Sequence, residues 1–164
     1  MEGENDILIR LYDMRVDELE ELTKTLAASG VIIKQAMAVN TDEILDFVKA
    51  NFPPCWAGEV LFALMHRGCF IAVRGTKPVG FCCFGATAPD FLGPAGVIET
   101  ERGQGIVRVL VYRALLAMKS RGFKYAIAGM ARPAMAANLA RNFDVVEIPH
   151  SIGSYEDMLD TSIV

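Results

Sequence analysis

A chain of 164 residues, 52% of them hydrophobic, is the size of one domain with a proper core, and residues 1–164 are read as a single domain. The net charge of -4 at pH 7 and the scattered Lys and Arg argue against binding to nucleic acid or to an anionic membrane. The acidic start Met1-Glu2-Gly3-Glu4-Asn5-Asp6 is the reverse of a signal peptide, and Arg108 and Arg113 break the most apolar helix, so the expectation is a cytoplasmic protein.

In chain order, Ile7, Ile9 and Leu11 alternate with Leu8 and Arg10 as a short first strand. A helix then carries Val16, Leu19, Leu22 and Leu26 on one stripe and stops at Gly30. Thr41-Asp42-Glu43 opens the next helix, with the Thr41 hydroxyl as its cap, and Pro53-Pro54 ends it. A third helix over 56–66 points Val60, Leu61 and Leu64 inward. Phe70 to Val73 and Val79 to Phe84 flank a turn at Gly75-Thr76-Lys77-Pro78, and a further strand covers 90–98, broken by Gly93-Pro94 and Gly96. A strong helix over 104–121 repeats Ile106, Val107, Leu110, Val111, Ala114, Leu115 and Met118 at the 3.6 period and stops at Gly122. Strand Tyr125–Ala128, helix 134–141 and strand Val145–Ile148 complete a mixed α/β order.

Cys55, Cys69, Cys82 and Cys83 have no Cys-x-x-Cys spacing and no His in ligand spacing. They are read as reduced, mostly buried residues with no metal site, Cys82 and Cys83 facing opposite ways along a strand. His66 and His150 are read as surface or helix-end residues. The apolar surplus is compatible with a homodimer.

The segment Arg102-Gly103-Gln104-Gly105-Ile106-Val107 joins a strand to a helix start. Free amides and a partial positive charge there attract phosphate, and two residues without Cβ let a ligand approach the backbone. A plain tight turn is the other reading of the same residues. A dinucleotide fingerprint needs a small residue where Arg108 stands and an acid near Lys124 and Tyr125, where there is none. A Walker loop fails because no Gly-Lys-Ser/Thr follows.

At these residues the sequence resembles the GNAT superfamily of N-acetyltransferases, whose motif Arg/Gln-x-x-Gly-x-Gly/Ala reads here as Arg102, Gly105 and Val107. Phe70-Ile71-Ala72-Val73 with Lys77-Pro78-Val79-Gly80-Phe81, Gly93-Pro94-Ala95-Gly96-Val97, and Gly122-Phe123-Lys124-Tyr125-Ala126-Ile127-Ala128-Gly129 resemble one bacterial branch of the family. The resemblance implies a GNAT-like fold: a mostly antiparallel sheet with a splayed parallel strand pair and helices on both faces. It also implies acetyl-CoA as co-substrate and transfer to a primary amine of a small molecule or peptide. A weak or inactive acyl-CoA-binding sensor of the same fold is the alternative, and an unrelated nucleotide-binding enzyme comes third.

On that resemblance the amides of Arg102, Gly103, Gln104, Gly105, Ile106 and Val107 wrap the pyrophosphate, and backbone groups of Val97 and Ile98 pair with the pantetheine arm. Asp90 and Glu99 are the candidate bases, each equally readable as a solvated turn or loop acid. Members of the family often carry a tyrosine acid where this chain has Ala137 or Asn138; Asn138 could orient the thioester or be a surface position. Val107 stands where the family has a small residue. Arg108 could touch a CoA phosphate or lie on an exposed face, Trp56 could line an acceptor pocket or pack in the core, and Tyr155 could fold back over the site or pack.

Overall fold

The computed structural model describes residues 5–14 and 16–160; the acidic start at residues 1–4 lies outside them. The chain runs β1 (Asp6–Arg10), α1 (Asp17–Ala28), β2 (Val31–Gln35), α2 (Thr41–Asn51), α3 (Trp56–Met65), β3 (Cys69–Arg74), β4 (Lys77–Phe84), β5 (Phe91–Val97), α4 (Ile106–Ser120), β6 (Tyr125–Ala128), α5 (Pro133–Asn142) and β7 (Val145–Ile148). Short 3-10 turns cover Ala38–Asn40, Glu99–Glu101 and Ser151–Tyr155. The strands form one sheet in the order β2-β3-β4-β5-β6-β1-β7. Every neighbouring pair is antiparallel except β5 and β6, which run parallel.

Two cores lie on the two faces of this sheet. On one, Val31, Ile33, Phe70 and Ala72 pack with the inner stripe of α4 and with Ile7, Ile9, Leu19, Leu26 and Ala126. On the other, Ile71, Phe81 and Cys83 pack with Ile44, Phe47 and Val48 of α2 and Val60 and Ala63 of α3. The alternation of strand side chains sends Cys82 into the first core and Cys83 into the second. Burial pushes both thiols upward, Cys82 further helped by the neighbouring Cys69, which keeps them protonated.

Several local expectations change. β2 is a strand the sequence pattern did not suggest: Val31 and Ile33 face the core while Ile32 and Lys34 are exposed, the half-pattern of an edge strand immediately after a helix stop. The Thr41 hydroxyl does not cap α2; it donates to the Ala38 carbonyl at 2.8 Å, because a 3-10 turn runs directly into the helix. On α3 the inward positions are Val60, Ala63 and Leu64, while Leu61 is exposed. Cys55, beside the Pro53-Pro54 corner, is exposed; Cys69, Cys82 and Cys83 are buried, and all four are free thiols. Among the described residues no helix is long and apolar enough to cross a membrane, and no His, Cys, Asp and Glu cluster could hold a metal ion.

Candidate active site

The sheet opens along its one parallel pair. β5 and β6 pair only at Phe91 with Ile127 and Leu92 with Ala128, where the Ile127 amide donates to the Asp90 carbonyl at 2.8 Å. Gly93 and Pro94 follow, and a proline has no amide hydrogen with which to continue a ladder. β5 nevertheless stays paired with β4 through Ala95, Gly96 and Val97, so its other edge carries no strand from Gly93 onward. Asp90 therefore sits at the closed end of the pair, and the mouth lies beyond it, toward Val97.

The backbone at that edge refines the expectation for Val97 and Ile98. The Ile98 amide donates to the Val79 carbonyl of β4 at 3.0 Å and so cannot pair with a ligand. Residues of an antiparallel ladder alternate direction, so Val97 turns its polar groups to the open side. Its carbonyl already accepts from Arg102 Nε at 3.1 Å. The Val97 amide, and Ala95 two residues earlier, are what the edge offers.

The strand leads through the turn Glu99–Glu101 into Arg102, Gly103, Gln104 and Gly105. Both glycines have positive φ, 82° at Gly103 and 86° at Gly105, which favours residues without Cβ. Their surroundings differ. A Cβ on Gly103 would meet open space, whereas one on Gly105 would lie 2.8 Å from Leu22 of α1. Gly103 is thus the residue that leaves room for a ligand, and Gly105 is needed so that α1 can pack against the start of α4. That start has no side-chain cap, so the first amides of α4, at Ile106, Val107 and Arg108, have no intrahelical partner and lie at the positive end of the helix dipole. Val107 is half-buried and packs against the core, so its side chain does not crowd the turn.

One ion pair frames this turn. Arg74, at the end of β3, grips Glu101 with both arms of its guanidinium, Nε to Oε1 at 2.7 Å and Nη2 to Oε2 at 2.8 Å, while Nη1 holds the Ser29 carbonyl. Gln104 Nε2 donates to Glu101 Oε2 at 2.7 Å. Arg74 and then Gln104 hold the Glu101 carboxyl down, to about 2. The Gln104 side chain is therefore occupied within the protein, and only its backbone faces a ligand.

Between α4 and α5 lies a cavity of about 200 Å³ lined by Arg108, Ala134, Ala137, Asn138 and Arg141. Arg108 is not an exposed helix residue. It donates twice to Oδ1 of the buried Asn142, at 2.6 and 3.2 Å, and Asn142 in turn donates to the Asn138 carbonyl at 2.8 Å. The cavity so pairs two guanidinium groups with Asn138 one turn into α5. A larger cavity, about 490 Å³, lies at the far end of α5 among Asp13, Arg141 and Asp144, and of the predicted site residues none lines it. Glu99 is exposed in its turn, and no hydrogen bond among the described residues joins Asp90, Glu99 and Asn138.

The opposite face of the mouth is built from the corner between α2 and α3 and from α3 itself. The Phe52 ring occupies the space a Cβ on Gly96 would need, stacks on Trp56 with centroids 5.7 Å apart, and meets Phe81 edge-on. Trp56 therefore packs among aromatic rings beside the open strand while staying half-buried. On the next turn of α3, Glu59 Oε1 accepts from the Thr87 hydroxyl at 2.6 Å. Tyr155 folds back from the last 3-10 turn so that its hydroxyl lies against Gly129 at the end of β6. It donates to Oδ1 of the buried Asp6 at 2.9 Å, which also accepts from the Met130 amide. Burial and then the Asp6 bond raise the Tyr155 hydroxyl, so it keeps its proton near neutral pH. Asp6 closes a contact between distant parts of the chain, and no local spacing could have revealed it. The three-residue step from Trp56 to Glu59 was the one available signal for the other wall.

A mixed sheet split along one parallel pair, with a glycine turn and an uncapped helix at the mouth of the split, has the architecture of an acetyltransferase that works with an acyl-CoA. The chain belongs to the acetyltransferase (GNAT) family, whose model matches residues 38–141. None of the curated proteins matches it in sequence. Among solved structures it is similar in fold to the GCN5-related glucosamine N-acetyltransferase region of a fungal multi-domain GH3 beta-N-acetylglucosaminidase, with a TM-score of 0.70 and 15% identity over 87% of this chain and 20% of that one. It is also similar to a GCN5-related N-acetyltransferase from Sphaerobacter thermophilus (TM-score 0.64, 18% identity, 87% and 48% covered). A GNAT-family acetyltransferase from Colwellia psychrerythraea gives a TM-score of 0.61 at 15% identity, with 87% and 53% covered. The chain thus spans from a fifth to about half the length of these proteins, and at such identities the likeness is one of fold.

Proposed function

We propose that the protein is an acetyl-CoA-dependent N-acetyltransferase acting on a primary amine of a small molecule or peptide. The observation that carries this reading is the run of β5 beyond Leu92, open on one edge and leading into the uncapped start of α4. An extended amide-bearing arm can add to such an edge as a strand does, here through Ala95 and the Val97 amide. The edge from Gly93 to Val97 spans about 16 Å. A pyrophosphate at the end of that arm meets the backbone from Arg102 to Val107, with room at Gly103 and a favourable dipole at Ile106 and Val107. Arg108, Arg141 and Asn138 line the adjoining cavity, where the guanidinium groups complement further phosphate.

The residues then have little covalent chemistry to do. Aligning a neutral amine with a thioester and hydrogen-bonding the developing oxyanion accounts for most of such a rate. Asp90 and Glu99 remain candidate bases acting through water. Thermal melts with acetyl-CoA, NAD and ATP test the reading: acetyl-CoA at about 100 times its dissociation constant should stabilise the fold by ~2.7 kcal/mol, and a shift with NAD alone would sink it. A cytoplasmic homodimer belongs to the same proposal, and sedimentation equilibrium tests the dimer.

One observation favours a second reading, a weak or inactive acyl-CoA sensor. The cavity wall on α5 presents Ala137 and Asn138 and no phenol, and an amide can donate a hydrogen bond but does not give up a proton near neutral pH. Binding of acetyl-CoA with no acetylation across an amine panel would select it.

A further inference from the structure

The acetyltransferase reading places the cofactor at the turn before α4 and along the open edge of β5, and the α4–α5 side of the sheet supplies its cavity. The face carrying α2 and α3 is then left for the acceptor. On that face α3 puts Trp56 and Glu59 three residues apart, hence on one side of the helix. The Phe52 ring, stacked on Trp56, rests directly on Gly96, within the open run of β5. Glu59 is half-buried, and its Oε1 holds Thr87. Among the described residues no Lys, Arg or His forms an ion pair with it. A half-buried carboxylate without a cation, with aromatic rings one helical turn away, suits a ligand that brings a cation on an apolar body.

We propose that the acceptor amine binds on this face, its ammonium on Glu59 and its body against the Phe52–Trp56 ring pair, so that the acceptor is a primary amine carried on an aromatic or bulky aliphatic group. Tyr155 and Phe91 lie together against Gly129 at the end of β6. On this arrangement Glu59, in place of Asp90 or Glu99, takes one proton from the ammonium and passes it to solvent. The freed nitrogen lone pair attacks the thioester carbon, the C–N bond forms and the C–S bond breaks, and the second proton lost by nitrogen ends on the departing thiolate.

Trp56 is the only tryptophan of the chain, so its emission reads acceptor binding without turnover. Titrating the protein with 2-phenylethylamine should give a saturable change in that emission, with ethanolamine binding at least tenfold more weakly. In Glu59→Gln, which keeps the side-chain shape and the acceptor for Thr87, the affinity for 2-phenylethylamine should drop at least tenfold while the acetyl-CoA melting shift is retained. Equal affinity of the variant and wild type, or no emission change with 2-phenylethylamine, would overturn the proposal. Loss of the acetyl-CoA shift in the wild type would instead overturn the acetyltransferase reading, leaving amine binding at Trp56 to stand by itself.

Discussion

Glu101 lies one residue before Arg102, and its bonds to Arg74 and Gln104 tie the end of β3 to the glycine turn. Its folded-state carboxyl is held at about 2, below the ~4.3 of an unfolded glutamate. The resulting stability is fully present above that unfolded value and is lost as the pH falls toward about 2. Melting temperature should therefore drop across this window in the wild type and drop less steeply in Glu101→Gln; parallel profiles would show that the pair does not act this way. Removing the hydroxyl in Tyr155→Phe takes a donor from the buried Asp6, at about 1–3 kcal/mol for a buried acceptor left short of a partner, to be read from the urea midpoint. The sequence made Arg102 legible as a motif residue, but not that its side chain would turn back onto Val97, because that bond depends on the path of the intervening turn.

At the scale of elements, most of the order was legible because α1 and α4 carry 3.6-residue apolar stripes that end at Gly30 and Gly122, which set off the short strands between and after them. β2 was not, since an edge strand buries only Val31 and Ile33 and reads like a linker. The two glycines before α4 look equivalent in sequence and differ only once α1 is packed in place. Gly103→Ala should cost about 1–2 kcal/mol for the left-handed backbone alone, and Gly105→Ala should cost a further 1–3 kcal/mol, roughly, from overpacking on Leu22. Urea titrations of both variants check the difference. Gly103→Asp, whose side chain enters open space, should keep the fold and lose acetyl-CoA binding, and retained binding would move the pyrophosphate elsewhere. On α5, Ala137 is exposed and lines the cavity, so Ala137→Tyr can place a phenol there without disturbing the Asn138–Asn142 bond. If an acid on this helix limits turnover, the single-turnover rate should rise toward the ~10²–10⁴-fold that general acid–base help supplies; an unchanged rate with a fast wild type would mean that none is needed.

For the whole molecule, the sheet order is the feature that no local reading could supply. β1, first in the chain, lies between β6 and β7, pairing Ile9 with Ala126 on one side and Val145 on the other. The two parts of the sheet meet at only two residue pairs, so a cleft along β5 and β6 could in principle let them unfold separately. Packing opposes this. The core on the α4 face is one cluster running from Val31 and Phe70 through α4 to Ile9, Ala126 and Leu139, and the split in the hydrogen-bond ladder is bridged by apolar contacts. Ile9 is fully buried in that cluster and Ile32, on the opposite edge strand, is exposed. Ile9→Ala should cost about 2–5 kcal/mol, and Ile32→Ala about 0.5 kcal/mol or less. If the bridging core makes the two parts one cooperative unit, Ile9→Ala lowers the urea midpoint of a single transition and leaves its slope unchanged. Fluorescence of Trp56, packed on the far side of the split, and far-ultraviolet circular dichroism should then report the same midpoint. A variant in which the dichroism falls first while Trp56 stays native would show instead that the mouth of the active site divides the protein into two folding units.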